Sequence, residues 1–136
     1  MIKKVLILLS MLVTFPLFAE RQFVECQNMA LNGGEVPKWV SLLFEQGNEK
    51  KARKLLDIGK HEKIFYQKLE GENLNIVKSI ARQMIYRKAS GIEDETMDDY
   101  SAVINALHNV ADFWILERDT ESGEKIYSYY TVYSMK

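Results

Sequence analysis

The chain has 136 residues, carries 18 Lys and Arg against 19 Asp and Glu, and is 47% hydrophobic. Balanced charge without a long basic run argues against a nucleic-acid binder, and a single cysteine excludes an intramolecular disulfide framework. The folded part must therefore be held by its own core, and the about 115 residues beyond the N-terminal segment are enough for that.

Lys3 and Lys4 give a short positive start, Val5 to Val13 is apolar apart from Ser10, and Leu17-Phe18-Ala19 precedes the polar Glu20-Arg21. A positive, then apolar, then small-residue order ahead of a polar start is what signal peptidase reads. Residues 1–19 are therefore expected to be a cleavable signal peptide. The apolar run falls short of the about 20 residues that span a bilayer, and Pro16 interrupts it, which argues against an uncleaved anchor. Cys26 is the only thiol able to take a lipid. Its approach, Arg21-Gln22-Phe23-Val24-Glu25, is charged and bulky, so lipidation there is weakly supported. Removing the signal leaves 16 basic and 19 acidic residues, a net charge near −3, in a compartment where thiols oxidise.

Residues 20–35 lack strong periodicity, contain Asn32-Gly33-Gly34, and read as an extended leader. Residues 36–136 read as one domain. Pro37 suits the first turn of a helix, and Val36, Trp39, Val40, Leu43 and Phe44 recur at helical spacing. Gly47 breaks that helix and Asn48 caps a second piece carrying Ala52, Leu55 and Leu56. In this second piece Lys50-Lys51-Ala52-Arg53-Lys54 reads as a solvated helix face rather than a nucleic-acid site. Lys63 to Glu70, with Ile64, Phe65 and Tyr66, favours a strand that Gly71 ends.

Leu74, Val77, Ile80, Ala81, Met84 and Ile85 then form the cleanest amphipathic stripe, closed by Ser90-Gly91. Beyond the acidic Glu93-Asp94-Glu95, Thr96 is placed to cap a further helix whose first turn holds Asp98 and Asp99. Its buried stripe would be Tyr100, Val103, Ile104, Leu107, Val110 and Ala111. The last quarter changes period: Asp112 to Asp119 and Lys125 to Met135 read as strands joined by a glycine-containing hairpin. In the second strand Tyr127, Tyr129, Thr131, Tyr133 and Met135 share one face and Ile126, Tyr130 and Val132 the other. Both faces are partly apolar, which puts this strand in the middle of its sheet. The fold class expected is α+β: a small antiparallel sheet of three strands packed against two to three helices in two layers.

Three pieces of this pattern resemble the LPP20-like lipoprotein family. They are the entry Val36-Pro37-Lys38-Trp39-Val40, the strand-to-helix unit Lys63 to Arg87 with Ser79-Ile80-Ala81-Arg82, and Phe113-Trp114 followed by the Tyr-rich strand Tyr127 to Met135. The resemblance implies a bacterial cell-envelope protein of undefined biochemical role, and it brings no catalytic residues. The absence of a clear lipidation site in this chain argues against membrane anchoring.

Residue chemistry points away from an enzyme. His61-Glu62-Lys63-Ile64-Phe65 begins like a zinc-protease motif, but Phe65 stands where the second histidine is needed. His108, the other histidine, reads as a helical surface residue. Glu93, Asp94, Glu95, Asp98 and Asp99 offer carboxylates to a hard cation, yet capping and a solvated acidic loop explain them with fewer assumptions. No metal or cofactor site is expected. Trp39, Trp114, Tyr127, Tyr129, Tyr130 and Tyr133 have the size and polar tips of a recognition surface, while core packing and cross-strand pairing account for them more simply. The expectation is an exported, non-enzymatic envelope protein with an envelope-protein or membrane-associated partner. The alternative is a carrier of a small molecule or lipid in a pocket between helices and sheet.

Overall fold

The computed structural model describes residues 20–28, 35–91 and 101–136. In chain order they form β1 (Arg21–Cys26), α1 (Lys38–Phe44), α2 (Glu49–Leu55), β2 (Lys63–Gly71), α3 (Leu74–Ser90), α4 (Ser101–Ala106), β3 (Leu107–Asp119) and β4 (Lys125–Met135). The strands make one antiparallel sheet in the order β1-β3-β4-β2. Four tyrosines with Ile126, Thr131 and Val132 make up most of β4, residues that best fill a pleated strand, and β4 lies at the centre as expected. It pairs with β2 from Lys63↔Met135 to Gly71↔Tyr127 and with β3 from Leu107↔Met135 to Arg118↔Lys125.

The β3–β4 turn is held by Asp119. Its Oδ1 accepts from the Glu121 N–H at 2.8 Å and the Ser122 N–H at 3.2 Å. Gly123 takes φ 74°, a left-handed value that favours glycine. The helix boundaries also follow local chemistry. Asn48 Oδ1 accepts from the Lys51 N–H and Asn73 Oδ1 from the Ile76 N–H, both at 3.2 Å, so each asparagine satisfies a donor the first turn leaves free. The left-handed Gly91 donates its N–H to the Arg87 carbonyl at 3.0 Å and ends α3.

Alternation along the strands sorts their side chains onto two faces. Phe113, Val132, Ile64, Tyr66 and Tyr130 point to one face and pack against Trp39, Val40 and Leu43 of α1, Ala52 of α2 and the following Ile58. Tyr129, Tyr133, Phe65, Leu69 and Trp114 point to the other, where Val77, Ala81 and Ile85 of α3 cover them. Phe113 (1% exposed), Ile85 (0%) and Val132 (0%) are the largest fully buried apolar side chains. Each such burial stabilises the fold by about 1.5–3 kcal/mol relative to exposure.

The α+β class and the antiparallel sheet are as expected, and three details differ. Helices lie on both faces of the sheet, so the architecture has three layers rather than two; an apolar strand face left bare by α3 needed its own cover. The expected leader holds a fourth strand: Arg21–Cys26 pairs with β3 from Arg21↔Asp119 to Cys26↔Ile115. The expected helix across Leu107, Val110 and Ala111 stops at Ala106, and these residues belong to β3. A bulge between Asn109 and Ala111 lets the strand continue to the end of β4. The predicted signal peptide, the acidic Glu93-Asp94-Glu95, Thr96, Asp98 and Asp99 lie outside the described residues.

Candidate functional site

The six aromatic residues expected as a recognition surface do not come together. Trp39 (7% exposed) and Tyr130 lie on the α1–α2 side, around Phe44, whose ring stands 5.1 Å from Tyr130, 5.4 Å from Tyr66 and 6.5 Å from Trp39. Trp114, Tyr127, Tyr129 and Tyr133 lie on the α3 side, with Trp114 and Tyr127 edge-on at 5.6 Å. The sheet separates the two groups, and Tyr129 and Tyr133 are 4% and 9% exposed. These rings are core and cross-strand pairs, and no groove joins all six.

A polar network on the α3 side was not singled out from the sequence. Asp112 Oδ1 accepts from the Thr131 hydroxyl at 2.6 Å and from Asn109 Nδ2 at 2.8 Å. Asn109 Nδ2 also lies 3.1 Å from Thr131 Oγ1. The Tyr129 hydroxyl bonds to the same Thr131 and Asp112, and Tyr133 bonds to Arg82 of α3. Burial, first, and then the Asp112 carboxylate push the Tyr129 hydroxyl far above its ordinary range. Burial also raises Tyr133, against the opposing pull of Arg82. Both phenols are therefore neutral donors at any physiological pH, unsuited to act as bases. The signal available in the sequence was period-two alternation, which puts Asp112 opposite Thr131.

A second network closes the far end of the opposite face. Arg21 Nη1 donates to Glu70 Oε2, Ser128 Oγ donates to the same oxygen at 2.9 Å, and Glu117 Oε1 lies 3.9 Å from Arg21. Burial alone would raise the Glu70 carboxyl, but the Arg21 and Ser128 hydrogen bonds outweigh it and hold the group below its ordinary range. The bond to Glu70 raises Arg21 correspondingly. All three buried serine and threonine hydroxyls of β4 thus face a carboxylate: Ser128 faces Glu70, Thr131 faces Asp112 and Ser134 faces Glu62, the last at 3.5 Å. Satisfying these hydroxyls is what allows polar residues in a central strand.

Cys26 is 4% exposed at the end of β1, and its Sγ donates to Asn28 Oδ1 at 2.9 Å. His61 is exposed ahead of β2, as expected; His108 is exposed on β3 rather than on a helix. Among the described residues no group of three or more His, Cys, Asp or Glu is placed to hold a metal ion. Two surface clefts lie beside α1 and α2. One, about 330 Å³, is walled by Asn28 and Glu35 to Lys38; the other, about 360 Å³, runs along α2 and the loop after it. Neither of these two clefts lies between a helix layer and the sheet. Among the described residues no helix is long and apolar enough to cross a membrane.

No known family model matches the chain, and neither a curated protein nor a solved structure matches it.

Proposed function

We propose that the chain is an exported, non-enzymatic protein of the bacterial cell envelope, periplasmic or outer, that works through contacts with protein or envelope components. The observation that carries the reading is where the first described strand lies. β1 starts at Arg21, two residues after Ala19. Cleavage after Ala19 leaves the edge strand whole. Processing at Cys26 for lipidation would remove four of the five β1 residues paired with β3, together with the Arg21–Glu70 bridge. A signal cut that spares the fold and a lipid cut that damages it favour plain export.

The titratable groups of the two networks serve the fold: Asp112, Glu70 and Tyr129 are each committed to buried hydroxyls, an arginine or both. The resemblance to the LPP20-like family points the same way. Its motif residues Trp39, Val40 and Phe113 meet in one core cluster, which gives the short motifs a packing rationale.

The test is fractionation of the native host followed by N-terminal sequencing and intact mass. The expected product is an unacylated chain starting at Glu20 in the envelope or periplasmic fraction. A cytosolic chain that retains Met1, or a chain starting at an acylated Cys26, would overturn the proposal.

A further inference from the structure

α2 and the loop behind it concentrate positive charge on one surface. From Glu49 to Lys63 the chain holds six Lys or Arg and three Asp or Glu, whereas the chain beyond Ala19 is net negative. Two of those three acids are already engaged: Glu49 Oε1 accepts from the Tyr66 hydroxyl at 3.0 Å and Glu62 Oε2 from the Gly59 N–H at 2.7 Å. Arg53 is committed too, with Nη1 donating to the Gly59 and Glu62 carbonyls at 3.0 and 2.7 Å. Those two bonds, with a left-handed turn at Asp57 (φ 57°), fold the loop back along α2.

The result is a cleft of about 360 Å³ lined by Lys50, Arg53 and Lys54 of α2 and by Asp57, Ile58, Gly59 and Lys60 of the loop, four cations against one carboxylate. All three lysines are exposed, and among the described residues none forms a salt bridge. The cleft wall is largely hydrocarbon, from the lysine stems and Ile58. Beside it Leu55 is 51% exposed, one turn from Lys51 and next to Lys54. Four cations with a single carboxylate leave the cleft net positive, and Leu55 gains free energy if an apolar phase covers it. A layer of anionic headgroups over acyl chains meets both needs: phosphates for the ammonium groups and a hydrocarbon boundary for Leu55.

We infer that this surface docks on membranes containing anionic phospholipid, with headgroup phosphates among Lys50, Lys54 and Lys60 and Leu55 entering the interface. This deepens the envelope-contact reading by naming the contact, and it rests on that reading only for the compartment.

The experiment is cosedimentation of the protein as recovered from its host with vesicles. One set is phosphatidylcholine with roughly one third phosphatidylglycerol, and the other is phosphatidylcholine alone. Variants are made in the same background, so any contribution from the N-terminal segment cancels and failure of export does not confound the result. Binding is expected on the anionic vesicles only, and it should be lost near 0.5 M salt, roughly. The triple variant Lys50→Gln/Lys54→Gln/Lys60→Gln is expected to partition about a hundredfold more weakly, because each lysine near an anionic surface contributes about a fivefold factor. Leu55→Ser should cost roughly tenfold, and Lys125→Gln, at the opposite hairpin, should change little. Equal binding to neutral vesicles, or wild-type partitioning of the triple variant, would overturn the inference. So would saturable binding of inorganic phosphate or of an oligonucleotide without binding to anionic vesicles.

Discussion

Gly71→Ala tests the packing of α3 on the sheet at a single atom. Gly71 is the last residue of β2, and a Cβ built there would lie 2.6 Å from Val77 Cγ2. Carbon atoms pack at about 3.5–4.0 Å, so the two groups must part by about 1 Å. Val77 cannot yield easily: it is 3% exposed, packs against Ala81 and Tyr129, and sits in the first turn of a helix whose start is pinned by the Asn73 cap. The Gly71 backbone is outside the left-handed region, so alanine brings no torsional strain and the contact is isolated. Overpacking of this kind costs about 1–3 kcal/mol, and restricting the unfolded chain returns about 0.4–1 kcal/mol. The expected net loss is about 0.5–2 kcal/mol, a fall in Tm of roughly 2–10 °C for a domain of this size. Urea and thermal unfolding, followed by fluorescence of Trp39 and Trp114, would measure it. Val77→Ala alone removes two methyl groups and costs about 2 kcal/mol. The double variant should be more stable than the sum of the two single effects by about 1 kcal/mol, because the new methyl occupies the space vacated. A neutral Gly71→Ala, or strict additivity with Val77→Ala, would refute the placement of α3 against β2.

Two further outcomes follow from the polar contacts. Glu70 has a folded-state pKa below its ordinary value, so its stabilisation is fully present above the ordinary carboxylate range and is lost as pH falls through the lowered value. Both partners are about one third exposed, so solvent screening holds the contribution to under about 1 kcal/mol. Glu70→Gln should therefore lower the urea midpoint at neutral pH and match wild type near pH 2, roughly; an equal difference at both pH values would contradict the bridge. Cys26, buried and bonded to Asn28, should react with a thiol reagent at least about a hundredfold more slowly than the unfolded chain, since access requires β1 to open. Labelling at the unfolded rate would show that β1 is not docked.

Particular residues show which parts of the fold a linear reading reaches. Asn48, Gly91 and the 120–124 turn act through neighbours at most a few residues away, and each performs the role its sequence context predicts. Tyr129 and Tyr130 were assigned to opposite faces by alternation alone, and the register bears this out. The two-layer expectation stopped short of what that alternation requires, because a strand apolar on both sides must be covered on both. What escaped were segments decided by partners distant in sequence. Val103, Ile104, Leu107, Val110 and Ala111 match helical spacing well. Yet Leu107 onward pairs with the last residues of β4, and the bulge near Val110 shifts the alternation that would have revealed a strand. β1 escaped because an edge strand paired on one side carries mostly polar residues, so its only local cues are Phe23 and Val24.

The candidate surface was hidden for a related reason. Lys50, Lys51, Arg53 and Lys54 look interchangeable along a helix, yet the fold gives them different tasks. Arg53 is spent on two carbonyls of its own loop, and that expenditure brings Lys60 into one cleft with Lys50 and Lys54. A guanidinium can bridge two carbonyls in this way because its planar fork carries several donors, whereas an ammonium on the same stem lacks that fixed geometry. The basic run thus contains a structural member and a set of free charges, a division set by the path of residues 57–62. A solvated face would place its lysines independently of one another. Here one arginine holds the loop that gathers them, Glu49 and Glu62 are turned to other partners, and Asp57 is the one carboxylate in the cleft lining. One carboxylate against four cations leaves a local excess of positive charge, which an outside anion would offset.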